Sequence, residues 1–161
     1  MAQATRQSSL QGELEVEVEI RAPANQYHQL LVGRPQDVPK ATPENIQGCE
    51  HREGECGKVG NVIVWNYAID GQPKVMKERI EALDSEKNLM VARVIEGDLM
   101  KEFKSFVVTI QATPKQRGPG SVAKCQFKYE RINEKVAPPE KMIEFFVKVS
   151  KDMDETIMSK V

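Results

Sequence analysis

Aromatic residues are scarce in this chain of 161 residues, with one Trp, three Tyr and five Phe beside seven Met. An interior with so few rings must be built mainly from aliphatic and thioether side chains. Cysteine is scarcer still: Cys49, Cys56 and Cys125 are too few and too scattered for a disulfide framework, and an odd count leaves one unpaired. They are expected as reduced cytosolic thiols. No apolar run approaches the roughly 18 residues of a membrane-spanning helix, and the opening MAQATRQSSLQGELE has no basic region leading into an apolar one. The expectation is a cytoplasmic, unsecreted protein with no membrane span. Neither sign of charge is in surplus, 23 Lys and Arg standing against 24 Asp and Glu, which argues against a dedicated nucleic-acid binder. Repeats, low-complexity tracts and Pro/Ser-rich linkers are missing as well. The expected organisation is a flexible N-terminus over residues 1–10 and a single domain over 11–161.

What is present is patterned. Glu13 to Arg21 alternates charged and apolar residues, the period of a strand with one buried and one wet face. Pro23 then stands where a first-turn proline is tolerated, and Tyr27, Leu30 and Leu31 follow at helical spacing until Gly33 and Pro35 stop the segment. Three prolines between Pro35 and Pro43 leave room for a brief helical turn at most. Six strands are predicted next, over Gln47–Arg52, Asn61–Ile69, Lys74–Leu83, Leu89–Glu96, Phe103–Thr113 and Ser121–Ile132. The turn signals between them, such as Asp70-Gly71 and Gly97-Asp98, make sequential antiparallel neighbours. After Pro138-Pro139, Glu140 to Met158 reads as one long helix whose Met142, Phe146, Val149, Met153 and Ile157 form an apolar stripe. The predicted class is α+β: a curved, seven-stranded antiparallel sheet gripping one long C-terminal helix, with two short helices at its side. Such a grip can enclose a space.

Few residues suggest chemistry. Gly48 to Gly60 is rich in glycine, but a phosphate loop needs Gly-x-x-x-x-Gly-Lys-Ser/Thr running from strand to helix. Arg52 occupies the first glycine's place, Lys58 is followed by Val59, and both flanks read as strands, so the segment is read as a hairpin loop. Cys49, His51 and Cys56 offer three ligands at a spacing that no common zinc module uses. No metal and no cofactor is expected. His28 has no Ser or Cys partner in sequence to suggest a hydrolytic triad. The row of Glu13, Glu15, Glu17 and Glu19 belongs to the wet face of its strand. Glu78, Glu96 and Asp98 are different, because an inward-facing carboxyl in an apolar cavity could act as an acid or base.

Several linked segments resemble one family. Gly57-Lys58-Val59-Gly60-Asn61 leads into Trp65-Asn66-Tyr67; Ile95 to Phe106, Ala112-Thr113-Pro114-Lys115 and Lys128 to Asn133 follow in order. Together they resemble the major latex protein group of the Bet v I superfamily of birch pollen allergens and pathogenesis-related proteins, from about Leu14 to Met158. Cys56 stands where relatives often carry Trp or Gly, and His28 where a bulky aromatic is common.

The resemblance implies a START-like helix-grip fold enclosing a hydrophobic cavity, plant origin, and cytosolic binding of apolar small molecules linked to defence and stress. Family register and strand alternation place Ile63, Trp65, Tyr67, Met90, Ala92, Phe106, Val108, Cys125, Phe127 and Tyr129 at the ligand. Phe146, Val149, Ser150, Met153 and Ile157 face them from the long helix, with Leu31 and Val38 as a lid. The preferred reading is non-enzymatic binding, storage or transport of sterols, fatty acids or phenolics, with no catalytic residue and Tyr67, Tyr129 or Ser150 orienting the ligand. The alternative is a cavity enzyme of alkaloid-type metabolism using an inward Tyr, Lys and carboxylate, with Glu78, Lys104 and Tyr129 as the candidate set. The expected partner is an apolar ligand, and the expected state a monomer, with a weak dimer as alternative.

Overall fold

The computed structural model describes residues 10–160. The flexible N-terminus expected over 1–10 thus lies outside the described residues except for Leu10. Strand β1 (Gln11–Ile20) leads into helix α1 (Ala24–His28), a π-helical turn (Gln29–Gly33), a 3-10 turn (Pro35–Asp37) and helix α2 (Val38–Ala41). Strands β2 (Ile46–Glu53), β3 (Val62–Ile69), β4 (Gln72–Asp84), β5 (Leu89–Gly97), β6 (Phe103–Pro114) and β7 (Ser121–Arg131) follow, and helix α3 (Glu140–Ser159) comes last. All seven strands form one sheet, ordered β1-β7-β6-β5-β4-β3-β2. It is a meander from β2 to β7 to which β1 adds at the β7 edge, every pair antiparallel. Among the described residues no helix is long and apolar enough to cross a membrane.

The period-two pattern of β1 has the expected effect. Val18 and Ile20 enter the core, while Glu13, Glu15 and Glu19 on the other face lie near Lys128, Lys124 and Lys115. Each exposed pair stabilises little; the charges chiefly keep an edge strand soluble.

Two local expectations are corrected. The helix predicted after Pro23 is α-helical only to His28 and then widens, Arg34 N–H bonding to Gln29 C=O at 3.0 Å. Pro35 excludes the α conformation at Arg34 (φ −134°, ψ 54°), so the last turn closes one residue late. At the predicted Gly97-Asp98 turn a short 3-10 helix, Asp98–Lys101, intervenes. Gly97 has φ 117°, and a Cβ there would collide with the Val75 carbonyl oxygen. Asp98 then accepts the Val75 N–H at 2.7 Å, locking the β5 corner onto β4.

Helix α3 lies across the concave face. Its stripe is buried as the spacing requires, and Asp154 is buried beside it. That carboxylate accepts the backbone N–H groups of Arg21, at 3.0 Å, and Ala22, at 2.8 Å, where the chain leaves β1 for α1. Asp152, two residues earlier on the helix, accepts the Thr42 hydroxyl at 2.7 Å. The second half of α3 is therefore tied to both short helices. Its first turn is held at the surface by Lys141, which pairs with Asp70 at 2.6 Å.

Candidate functional site

Sheet curvature and the α3 stripe leave a space between them. Trp65 and Tyr67 of β3, Met76 and Glu78 of β4, Met90 of β5, Val108 and Ile110 of β6, and Cys125 and Phe127 of β7 border it. Helix α3 contributes Met142, Phe145, Phe146, Val149 and Met153, and Tyr27, Leu31, Val38 and Ile46 close the remaining side. The cavity measures about 90 Å³. A single water needs only roughly 10–15 Å³, whereas sites that engulf a drug-sized ligand run to roughly 300–1,000 Å³. The space suits a small group as it stands, and a larger ligand must displace wall side chains. Met76, Met90, Met142 and Met153 supply flexible thioether wall for that purpose.

Of the residues expected at the ligand, Leu31, Trp65, Tyr67, Met90, Val108, Cys125, Phe127, Phe146, Val149 and Met153 border this cavity. Six others stand elsewhere. Ile63, one inward position before Trp65, borders a separate void of about 10 Å³ beneath the glycine-rich loop. Ala92 is buried in the core and does not border the space. Phe106 is also buried, its ring 5.2 Å from those of both Phe103 and Phe127. Tyr129 joins that cluster, 5.5 Å from Phe103, and its ring covers Gly12, where the missing side chain makes room. The Ser150 hydroxyl is engaged by the Tyr27 hydroxyl at 2.8 Å. Ile157 lies a turn beyond the cavity, beside Leu30 at a surface groove.

Glu78 is a polar member of the wall that was not among the residues expected at the ligand. It is 5% exposed, and its Oε1 accepts a hydrogen bond from Trp65 Nε1 at 2.9 Å. Burial pushes its carboxyl up to about 7, against the opposing pull of the Trp65 hydrogen bond. The sequence carried the signal: Lys77, Arg79 and Glu81 alternate with Met76, Glu78 and Ile80, so the face that buries methionine and isoleucine buries this glutamate. Tyr67 is the second polar feature, since its buried hydroxyl has no hydrogen-bond partner among the described residues. Its ring, 5.4 Å from that of Phe145, stands with Met142 between the cavity and an outer groove of about 580 Å³. Burial pushes Tyr27, Tyr67 and Cys125 upward, so all three remain neutral in the physiological range.

The catalytic set considered as an alternative is not assembled. Lys104 lies exposed at the surface 3.6 Å from Glu130, and Tyr129 is in the aromatic cluster, so neither joins Glu78. Cys56 and His51 are exposed, and among the described residues no three or more metal-ligating side chains converge. His28 is buried outside the cavity wall, and burial lowers its pKa. In the glycine-rich loop Gly54, Gly57 and Gly60 take positive φ, as a tight hairpin connection requires.

Comparison with known proteins fits this geometry. Residues 9–160 match the pathogenesis-related protein Bet v 1 family. MLP-like protein 31 of Arabidopsis thaliana is 57% identical over 94% of this chain and 89% of its own length. MLP-like protein 28 of Arabidopsis thaliana is 54% identical over 96% of this chain, which spans 46% of that protein. Among solved structures, ginseng major latex-like protein 151 from Panax ginseng superposes with a TM-score of 0.86 at 38% identity, covering 91% of this chain and 97% of that one.

Proposed function

The chain belongs to the pathogenesis-related protein Bet v 1 family, in its major latex protein group, and from that premise we propose that it binds small apolar molecules in the cavity under α3 without transforming them. One observation carries the reading: a buried hollow walled by aliphatic, thioether and aromatic side chains, in which Glu78 is the single charged residue of the wall among the described residues. Binding there gains about 25 cal/mol for each Å² of ligand surface removed from water. A small phenolic suits the present volume, whereas a sterol or a long acyl chain must push the methionines aside. Storage or transport of such compounds in the cytoplasm of a plant cell, in defence or stress, is the physiological role we infer.

Titration with the neutral fluorescent dye Nile red tests the reading. Saturable uptake at one site per chain is expected, and it should weaken at least several-fold in Val149→Phe, which fills the cavity from α3. Absence of saturable uptake of Nile red and of phenol alike, phenol being small enough to enter without displacing the wall, or uptake unaffected by filling, would refute it. An unchanged circular dichroism spectrum of the variant separates lost volume from lost fold.

A further inference from the structure

A carboxylate closed inside an apolar chamber with no cation for company is an unusual thing for a fold to keep. Its desolvation is a cost already met when the chain folds, and a hydrophobic residue at the same place would avoid it. Glu78 accepts one hydrogen bond, from Trp65, and the described residues provide no salt bridge to it. The ionisable groups that meet the same space are Tyr67 on β3, Tyr27 on α1 and Cys125 on β7, with Cys49 of β2 close enough to feel the Glu78 charge. None of these supplies a positive charge. β5 and β6 face the space with Met90, Val108 and Ile110, and α3 with methionines, phenylalanines and Val149. Among the described residues no Lys, Arg or His belongs to the wall.

Resting on the cavity-binding reading above, we propose that Glu78 is the specificity-determining anchor of the cavity and that the preferred ligands are lipophilic amines, whose protonated nitrogen pairs with this carboxylate while the hydrocarbon part fills the space. Three features support this choice over a neutral or acidic ligand. Trp65 holds Oε1 in place by its N–H, so the carboxylate is oriented before any ligand arrives. The rings of Trp65, Tyr67 and Phe127 share the wall, and aromatic faces attract a cation from within about 6 Å. An acid entering the same space would set a second carboxylate against the first with no cation to separate them, a like-charge arrangement in low dielectric that is strongly unfavourable. The cavity therefore sorts ligands by the sign of their charge.

Hexylamine, hexan-1-ol and hexanoate, which share chain length and differ in the head group, test the proposal by calorimetric titration. At pH 8 hexylamine should bind about tenfold tighter than hexan-1-ol, because both can donate a hydrogen bond to the ionised carboxylate but the ammonium adds the attraction of a full positive charge. Hexanoate should be the weakest of the three. The preference for amine over alcohol should grow as pH rises through about 7, where Glu78 loses its proton. Glu78→Gln, which keeps an acceptor for Trp65, should abolish both the preference and its pH dependence. Hexan-1-ol binding with no advantage for the amine, or an advantage that survives in Glu78→Gln, would overturn the amine anchor and leave the cavity-binding reading standing. Failure of all three compounds, with Nile red and phenol also excluded, would overturn both.

Discussion

Replacing Glu78 by glutamine should make the protein more stable, and only on the alkaline side. In the folded chain burial pushes its carboxyl up to about 7, whereas the ordinary value for a glutamate is 4.5. Between those values the folded state keeps a proton that the unfolded state has released, so stability falls as pH rises through that window. The difference corresponds to about 3 kcal/mol at about 1.4 kcal/mol per pH unit. It is fully expressed above about pH 8 and absent below about pH 4. Glutamine has nearly the same volume and offers Trp65 Nε1 the same acceptor at 2.9 Å, so the substitution removes the charge and little else. Urea unfolding followed by circular dichroism at unit steps from pH 4 to pH 9 measures the effect. The stability gap between variant and parent should open from near zero at the acid end to about 3 kcal/mol at pH 9. A gap of constant size across the range would show that the Glu78 carboxyl is not the buried, proton-retaining group described above.

Asp154→Ala should cost about 2–4 kcal/mol in thermal unfolding, because it leaves the N–H groups of Arg21 and Ala22 without their acceptor; a loss below about 0.5 kcal/mol would contradict an anchoring role. Tyr67→Phe should raise stability by about 1 kcal/mol in the ligand-free protein, since it deletes a buried hydroxyl that has no partner. A clear loss in a urea titration would mean that the hydroxyl is satisfied. Gly97→Ala should lower the melting temperature by several degrees and reduce yield, because its Cβ would meet the Val75 carbonyl at a positive φ. An unaltered melting temperature would show that the β5 corner relaxes freely.

Much of the architecture was legible because it depends on periodicity. Glu13 to Ile20 alternates, the stripe from Met142 to Ile157 repeats at helical spacing, and short turn segments force antiparallel neighbours, so the sheet and its long helix follow from local pattern. The π turn before Arg34 was not visible, since it arises from how Pro35 restricts the preceding residue within a particular packing. The cavity wall was half legible for a related reason. Alternation says which side chains point inward, but not which of them border a void. Phe106 and Phe127 are both inward on neighbouring strands, yet Phe106 is enclosed by rings while Phe127 reaches the space. Phe145 escaped attention because it lies just off the stripe and is recruited by Tyr67 across the gap. Glu78 reads from the sequence as a carboxyl within a strand, and the alternation that marks Met76 and Ile80 puts it on their face.

The way α3 is fastened gives the molecule a mechanical polarity. Asp152 and Asp154 clamp its far half to the segments around Thr42 and Ala22 through partly and fully buried hydrogen bonds, while its first turn is tethered by an exposed Lys141–Asp70 pair. A rod fixed at one end and lightly pinned at the other is a cantilever. A ligand that presses on α3 from within is expected to displace the Met142 end first, beside Phe145 and Tyr67, where the hollow and the outer groove share a wall. The helix that completes the core thus also decides from which end that core can yield.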